Sequence, residues 1–293
     1  MFKYMHIERL GTINTEGILN GLCYCFPKLD GTNGQVSFNI EKNIIECGSR
    51  NNILSEASTN RGFYPYVLCN QNLIAFCKEN PNILLFGEFL VPYRLKTYLD
   101  DAWNKFYIFD VMDKTTRKLI HYEHYKDLLD KYNLLYLKPI CMINNPTIED
   151  LQKIVQENTY LIKEGQGLGE GIVIKNYNFY NKFGNQIWAK IVIEGFKNSF
   201  NGKIEKGIDA NSIENLIVEK FCTPHLIEKT YAKIIETGWN SKKTLEFLNR
   251  TYYDLVTEEI WEINRYFKEP IINFKKLKSI VFQKIQSIKP ELF

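Results

Sequence analysis

The stretch Phe26-Pro27-Lys28-Leu29-Asp30-Gly31-Thr32-Asn33-Gly34 sets one lysine just before an acid, two glycines and an amide. Asp-Gly and Asn-Gly are the strongest short turn signals, so the plain reading is a surface hairpin. Two adjacent turn dipeptides are more than a hairpin needs. The other reading is a nucleophilic lysine. A lysine attacks only as the neutral amine, so it needs burial or neighbouring positive charge to shed its proton. Suitable company follows along the chain. Phe86-Gly87-Glu88-Phe89 ends an apolar run, and Phe106-Tyr107-Ile108-Phe109-Asp110 is an aromatic run closing on an acid. Gly169-Glu170-Gly171-Ile172-Val173-Ile174-Lys175 enters a β-rich run through an acid, and Trp188-Ala189-Lys190-Ile191-Val192 carries a central lysine. A lysine amid apolar strand residues is costly unless it faces a site, which singles out Lys190. Each piece also has an ordinary reading: Glu88 caps a turn, Asp110 starts a loop, Lys175 is a solvated strand end. In this order and together they point to group transfer through Lys28.

The elements that must hold these residues change character near residue 200. Before it, β-rich runs at 21–26, 35–40, 83–89, 105–111, 171–175 and 186–193 are broken by Gly, Asn and Asp turns. Between them, Thr147 and Asp150 form a capping-box pattern, and Ile148, Leu151, Ile154, Val155, Leu161 and Ile162 keep helical spacing until Gly165. Arg61-Gly62-Phe63-Tyr64-Pro65-Tyr66 reads as a packed loop, with nucleic-acid contact as its second reading. After Asn201 the pattern is helical. Thr223-Pro224 reads as N-cap and N1 of a helix ending at Gly238, a longer amphipathic helix runs through Leu245 to Phe267, and a last one spans about Asn273 to Ile288. The expected fold class is α+β, with an N-terminal domain over 1–200 and a small all-α domain over 201–293.

Composition bounds the rest. The chain has 293 residues, 45% hydrophobic and 24% charged, with a formal charge of +3, which excludes disorder and low complexity. The balance is too mild to announce nucleic acid by itself, although 268–289 holds six lysines, Lys275, Lys276 and Lys278 among them, against Glu269. That stretch is either a solvated face or a phosphate-tracking patch. No run approaches the ~18 apolar residues of a spanning helix, and no signal peptide opens the chain. Seven scattered cysteines without a CxxC pair read as buried apolar residues in a reducing cytosol, so a soluble cytoplasmic protein is expected.

The ordered motifs resemble the covalent nucleotidyltransferase superfamily of ATP-dependent polynucleotide ligases and messenger-RNA capping enzymes. Lys28-x-Asp30-Gly31 is similar to its nucleophile motif, and Ser49-Arg50 to the short arginine motif. Phe86-Gly87-Glu88 resembles the third motif and Phe109-Asp110 the element after it. Glu170-Gly171-x-Val173-x-Lys175 resembles the fourth, and the run around Lys190 the fifth. Asn33, five residues after Lys28, brings the chain nearest the RNA ligase 2 type, whose small helical C-terminal domain also matches the pattern after Asn201. The resemblance implies an ATP-grasp-like nucleotidyltransferase domain of antiparallel sheets and helices. It implies a lysyl-AMP on Lys28, ATP and magnesium or manganese as requirements, and sealing of a 3′-hydroxyl to a 5′-phosphate, with nicked ends foremost. Lys175 and Lys190 would neutralise phosphate charge. Glu170 would hold metal, with Asn33 acting on it through water, while Glu88, Arg50 and Asp30 would serve the nucleotide and Phe109 would stack on adenine opposite Val173. The expected partner is RNA, as a nicked duplex or RNA/DNA hybrid, met by a monomer in the cytoplasm of a bacterium or a phage-infected host. A GTP-dependent capping guanylyltransferase and a non-catalytic RNA-binding protein of the same fold are the alternatives. Three positions depart from the family: Trp188 replaces a usual lysine, which Lys197 would have to supply, Pro27 replaces an acid, and Asp30 resembles the DNA ligases.

Overall fold

Runs dense in β-branched and aromatic residues pair as strands wherever Gly, Asn or Asp allows the chain to turn, and a computed structural model describes them over residues 2–92, 97–193, 212–235 and 238–293. In chain order they are β1 (Glu8–Arg9), β2 (Leu22–Lys28), β3 (Thr32–Asn39), β4 (Ile44–Gly48), β5 (Ile83–Leu90), β6 (Lys105–Asp113), β7 (Lys118–Leu119), β8 (Cys141–Asn144), β9 (Gly171–Lys175) and β10 (Ala189–Val192). Helices α1 (Phe63–Cys69), α2 (Gln71–Glu79), α3 (Tyr122–Lys131) and α4 (Ile148–Glu157) interleave with them. Among the described residues these strands form two sheets, one ordered β1-β10-β9-β2-β8 and the other β4-β3-β5-β6-β7. Only β1 and β10 run parallel; the other pairings are antiparallel. Tyr24, Phe26 and Val173 of the first sheet, with Trp188 just before β10, share one buried cluster with Val36, Phe86, Phe89 and Val111 of the second.

The motif around Lys28 is therefore no hairpin. β2 pairs with β8 and β9, while β3 pairs with β4 and β5, so Leu29-Asp30-Gly31 carries the chain from one sheet to the other. Its glycines serve closeness rather than turning, since neither Gly31 nor Gly34 has a positive φ. A Cβ on Gly31 would overlap the Phe89 carbonyl, and one on Gly34 would lie 2.5 Å from the Phe63 ring. Phe63 is fully buried and rests on Phe106 and Phe89, at centroid distances of 4.8 and 5.4 Å. Gly34→Ala is expected to destabilise the fold by about 1–3 kcal/mol, the usual cost of overpacking. Thermal melts check this, and adding Phe63→Leu should return part of the loss.

Two expected elements end differently. α4 has its capping box, Thr147 and Asp150 bonding reciprocally, but stops at Glu157 rather than running to Gly165. Asn158 competes with the helix: its side chain donates to the Gly171 carbonyl at 2.8 Å and accepts the Tyr160 N–H at 3.2 Å. Leu161 then turns at φ 58°. The expected loop from Arg61 instead enters α1 at Phe63.

The described residues divide into two compact units, the sheets and their helices up to 193 and a helical unit from 213 onward. The helical unit comprises α5 (Ile213–Phe221), α6 (Pro224–Ile234), α7 (Thr244–Phe267) and α8 (Phe274–Ile288) around Ile217, Phe221, Ile227, Phe247, Leu255, Leu277 and Val281. Thr223 caps α6 ahead of Pro224, as the sequence implies, and the Asn273 side chain is found to cap α8. The expected boundary at 200/201 and Lys197 lie outside the described residues. No described helix is long and apolar enough to cross a membrane. All seven cysteines are free, five of them buried, with Cys141 half-buried and Cys69 exposed.

Candidate active site

Strand register decides which side chains meet. Lys28 is the Cα partner of Gly171, Phe26 of Val173, and Val173 of Lys190. Partners across a sheet, and residues two apart along a strand, share a face. Lys28, Val173, Lys175 and Lys190 therefore project from the same face of the first sheet. The Lys28 Nζ donates to Glu170 Oε2 at 2.6 Å, and the two side chains are 21% and 16% exposed, so the pair is accessible without being fully solvated.

The crossing after Lys28 is held from the second sheet. The Asp30 N–H donates to the Tyr98 hydroxyl at 2.8 Å. Glu88 receives the Gly31 N–H on Oε1 at 2.9 Å and the Asn33 Nδ2 on Oε2 at 2.6 Å. Burial pushes the Glu88 pKa up to about 7, while the Lys28 charge and the Asn33 and Gly31 hydrogen bonds pull it back. Glu88 is thus a clamp on the lysine's segment, a role its place in the sequence did not reveal. Tyr98 carries no sequence signal at all.

A second constellation lies fully inside. Between Phe86–Asp110 and Gly87–Ile108 the β5–β6 register slips, leaving Phe109 unpaired in a bulge. Such bulges re-aim side chains and are common beside active sites. Asp110 is fully buried and accepts from the Tyr4 hydroxyl, from Trp188 Nε1 at 3.0 Å and from Lys175 Nζ at 2.7 Å. Lys175 Nζ also donates to the Phe109 carbonyl at 2.5 Å and lies over the Phe26 ring, 4.6 Å from its centroid. Burial pushes the Lys175 pKa down and Asp110 draws it up. Lys175 is therefore not placed as a phosphate cation, because its charge is spent on Asp110 at 2% exposure. Trp188 is likewise a donor to that carboxylate and not a gap in the site.

Among the other expected residues, Val173 is buried and Phe109 is half-buried with its ring 5.0 Å from that of Tyr4. Arg50 is exposed, its Nη2 3.4 Å from His6 Nδ1. In the helical unit, Lys275 is exposed, Lys276 pairs with Glu214 at 3.5 Å, and Lys278 lies 5.8 and 5.4 Å from the Tyr252 and Phe282 rings. Lys284 pairs with Glu219 and buried Lys289 with Glu228. Counting charge along one segment overstated the patch, because the acids sit on neighbouring helices.

Residues 23–192, the span holding Lys28, Lys190, Glu88, Glu170 and all of the buried network but Tyr4, match the RNA ligase family. The chain belongs to that family. No curated protein matches the sequence. Among solved structures, a Naegleria gruberi RNA ligase mutant with AMP and Mn aligns with a TM-score of 0.53 and 17% identity, over 69% of this chain and 59% of that one. Another mutant, in apo form, gives 0.52 and 18% over 67% and 57%. A third, with ATP and Mn, gives 0.50 and 17% over 67% and 57%. This RNA ligase family member thus spans less than three fifths of those ligases, and at such identity the likeness concerns the fold.

Among the described residues, no three His, Cys, Asp or Glu side chains converge on a protein-only metal cage. Magnesium needs just one or two carboxylates beside substrate phosphates, so the partly exposed Glu170 carboxylate suits such an ion.

Proposed function

We propose that this protein is an ATP-dependent polynucleotide ligase that joins a 3′-hydroxyl to a 5′-phosphate of RNA through AMP carried on Lys28. The observation that carries the reading is the Lys28–Glu170 pair at the end of β2, with Lys190 on the same sheet face and Glu88 clamping the next turn of chain. Lys28 Nζ attacks the α-phosphorus of ATP, an N–P bond forms, the bond to pyrophosphate breaks, and the amine loses its protons to solvent. A 5′-phosphate oxygen then takes the AMP, and a 3′-hydroxyl displaces AMP to make the phosphodiester. Phosphoryl transfer of this kind depends on positioning and charge neutralisation. A bound divalent cation, magnesium or manganese, supplies charge to the phosphates. Glu170 would hold it, with Asn33 acting through water, Lys190 faces the phosphate, and Phe109, fixed by its bulge, offers an aromatic face to adenine opposite Val173. Arg50 and Asp30 complete the nucleotide contacts. The fit to ATP also draws on the Naegleria ligase structures with ATP and with AMP. In the helical unit, Lys275 and Lys278 are the proposed contacts to nucleic acid, in the monomer acting on nicked RNA or hybrid ends.

The test is incubation of the chain, first stripped with pyrophosphate, with labelled ATP or GTP and magnesium. Label that survives denaturation with ATP alone supports the reading, and label with GTP alone replaces it with cap synthesis. Nicked RNA, DNA and hybrid duplexes then define the ends it seals.

Glu88 gives this chemistry a pH signature. Two N–H donors need two accepting oxygens, which only the ionised carboxylate offers fully. Because the pKa lies near 7, AMP attachment should slow as pH falls below about 7, and Glu88→Gln should be slow with that limb absent. The same shift means the folded chain binds this proton more tightly than the unfolded chain. The Glu88 contribution to stability therefore declines as pH rises from its ordinary range through about 7. Single-turnover labelling from pH 6 upward reads the first effect.

A further inference from the structure

Asn60, Arg61 and Gly62 follow one another with φ of 50°, 58° and 89°. Left-handed backbone at non-glycine residues costs on the order of 1–3 kcal/mol each and persists only where its surroundings hold it. What holds Asn60 is the segment next to Lys28. The Thr32 hydroxyl donates to Asn60 Oδ1 at 2.8 Å, and Asn60 Nδ2 donates to the Asn33 carbonyl at 3.0 Å. Both halves of the amide are used, one accepting and one donating, on consecutive residues. The Asn60 carbonyl also accepts the Phe63 N–H at 3.2 Å, tying this contact to the buried ring that presses on Gly34. On the other side of the same crossing, Glu88 holds Gly31 and the Asn33 side chain. The segment leaving the lysine is thus gripped from two directions, by an acid on β5 and by an amide on the strained loop before α1.

We infer that Asn60 is a positioning residue of the nucleophile site, its side-chain amide fixing the Thr32–Asn33 backbone so that Asn33 and Lys28 keep their alignment toward the incoming phosphate. It touches neither ATP nor the reacting amine, and acts through the main chain of the crossing. The inference rests on the ligase reading of Lys28 and goes beyond it, since the resemblance gives this loop no role. The left-handed turn is then the cost of delivering one side chain back onto the motif.

The experiment compares wild type with Asn60→Gly in single-turnover labelling by ATP. Glycine adopts φ near 50° freely and removes both hydrogen bonds, so the loop can keep its path. The expected result is a rate of AMP attachment lower on the order of 10- to 100-fold, the scale of a small misplacement of reacting groups. The endpoint should still reach the wild-type amount of AMP per chain, since a folded but misaligned site fills slowly and completely. Thr32→Val, which keeps the shape and removes one of the two bonds, should slow the rate in the same direction by a smaller factor, and it decides the matter should the glycine variant not fold. A rate within about twofold of wild type overturns the inference, as does a normal rate with a reduced endpoint, which marks a purely structural role. A wild-type chain that takes no label overturns the ligase reading itself and the inference with it, so the two failures are distinct.

Discussion

Lys28→Ala should take no label from ATP while still sealing a strand whose 5′ end already carries AMP. The first half follows because Lys28 is the proposed site of the N–P bond, and alanine leaves nothing to form it. The second follows because the last step needs only a 3′-hydroxyl, an adenylated end and the surrounding charge, so a pre-adenylated strand bypasses the lost amine. Lys28→Arg should fail in the same way, since a guanidinium stays protonated and cannot act as a nucleophile. Neither change should unfold the chain. Glu170 loses the Lys28 contact in the alanine variant but keeps access to water, and partly exposed ion pairs are worth about 1 kcal/mol or less. The measurement pairs covalent labelling with sealing of ordinary and pre-adenylated ends. Label on the alanine variant would sink the assignment of the nucleophile.

Asp110→Ala is the substitution expected to cost most stability. Lys175 would be left with the Phe109 carbonyl and two aromatic faces, inside a cluster where it is 2% exposed. Removing one member of a buried ion pair costs about 3–5 kcal/mol, because the remaining charge loses its compensation. Lys175→Met should be milder. Asp110 then keeps two neutral donors, the Tyr4 hydroxyl and Trp188 Nε1, and a carboxylate with two good donors is not an abandoned charge. Thermal melts should show Asp110→Ala lower by on the order of 10 °C, with Lys175→Met between it and wild type. The reverse order would mean that the amine, and not the carboxylate, organises the network. Activity should fall with both, since Lys175 holds the carbonyl of the bulged Phe109.

Glu88, Asp110 and Lys190 stood out as charged residues within or closing apolar runs, an expense a fold carries where chemistry or pairing requires it, whereas Lys28 and Glu170 stood out beside glycines in turn-rich segments. The helices of the C-terminal unit were legible from their period and from the Thr223-Pro224 cap. Pairing was not. Asp-Gly and Asn-Gly advertise a hairpin equally well when the flanking strands belong to different sheets, because local turn preference carries no information about which strand comes next. The roles of Lys175 and Trp188 were hidden for the same reason: Asp110 lies 65 residues before the one and 78 before the other. Asn60 and Tyr98 are ordinary residues whose importance comes entirely from where long-range packing puts them.

The passage between the sheets has a final implication for how the sequence can change. From Lys28 at the end of β2 to Thr32 at the start of β3 the chain takes four steps, a reach of at most about 14 Å, so Leu29-Asp30-Gly31 is a short tether. Deleting one of them would take about 3.5 Å from that reach and strain the registers of Lys28 with Gly171 and of Thr32 with Phe89. Inserting one would need room that the close approach of Gly31 to Phe89 denies. Surface loops in general tolerate insertions and deletions. At Gly31 this tether resists a longer chain and a side chain alike.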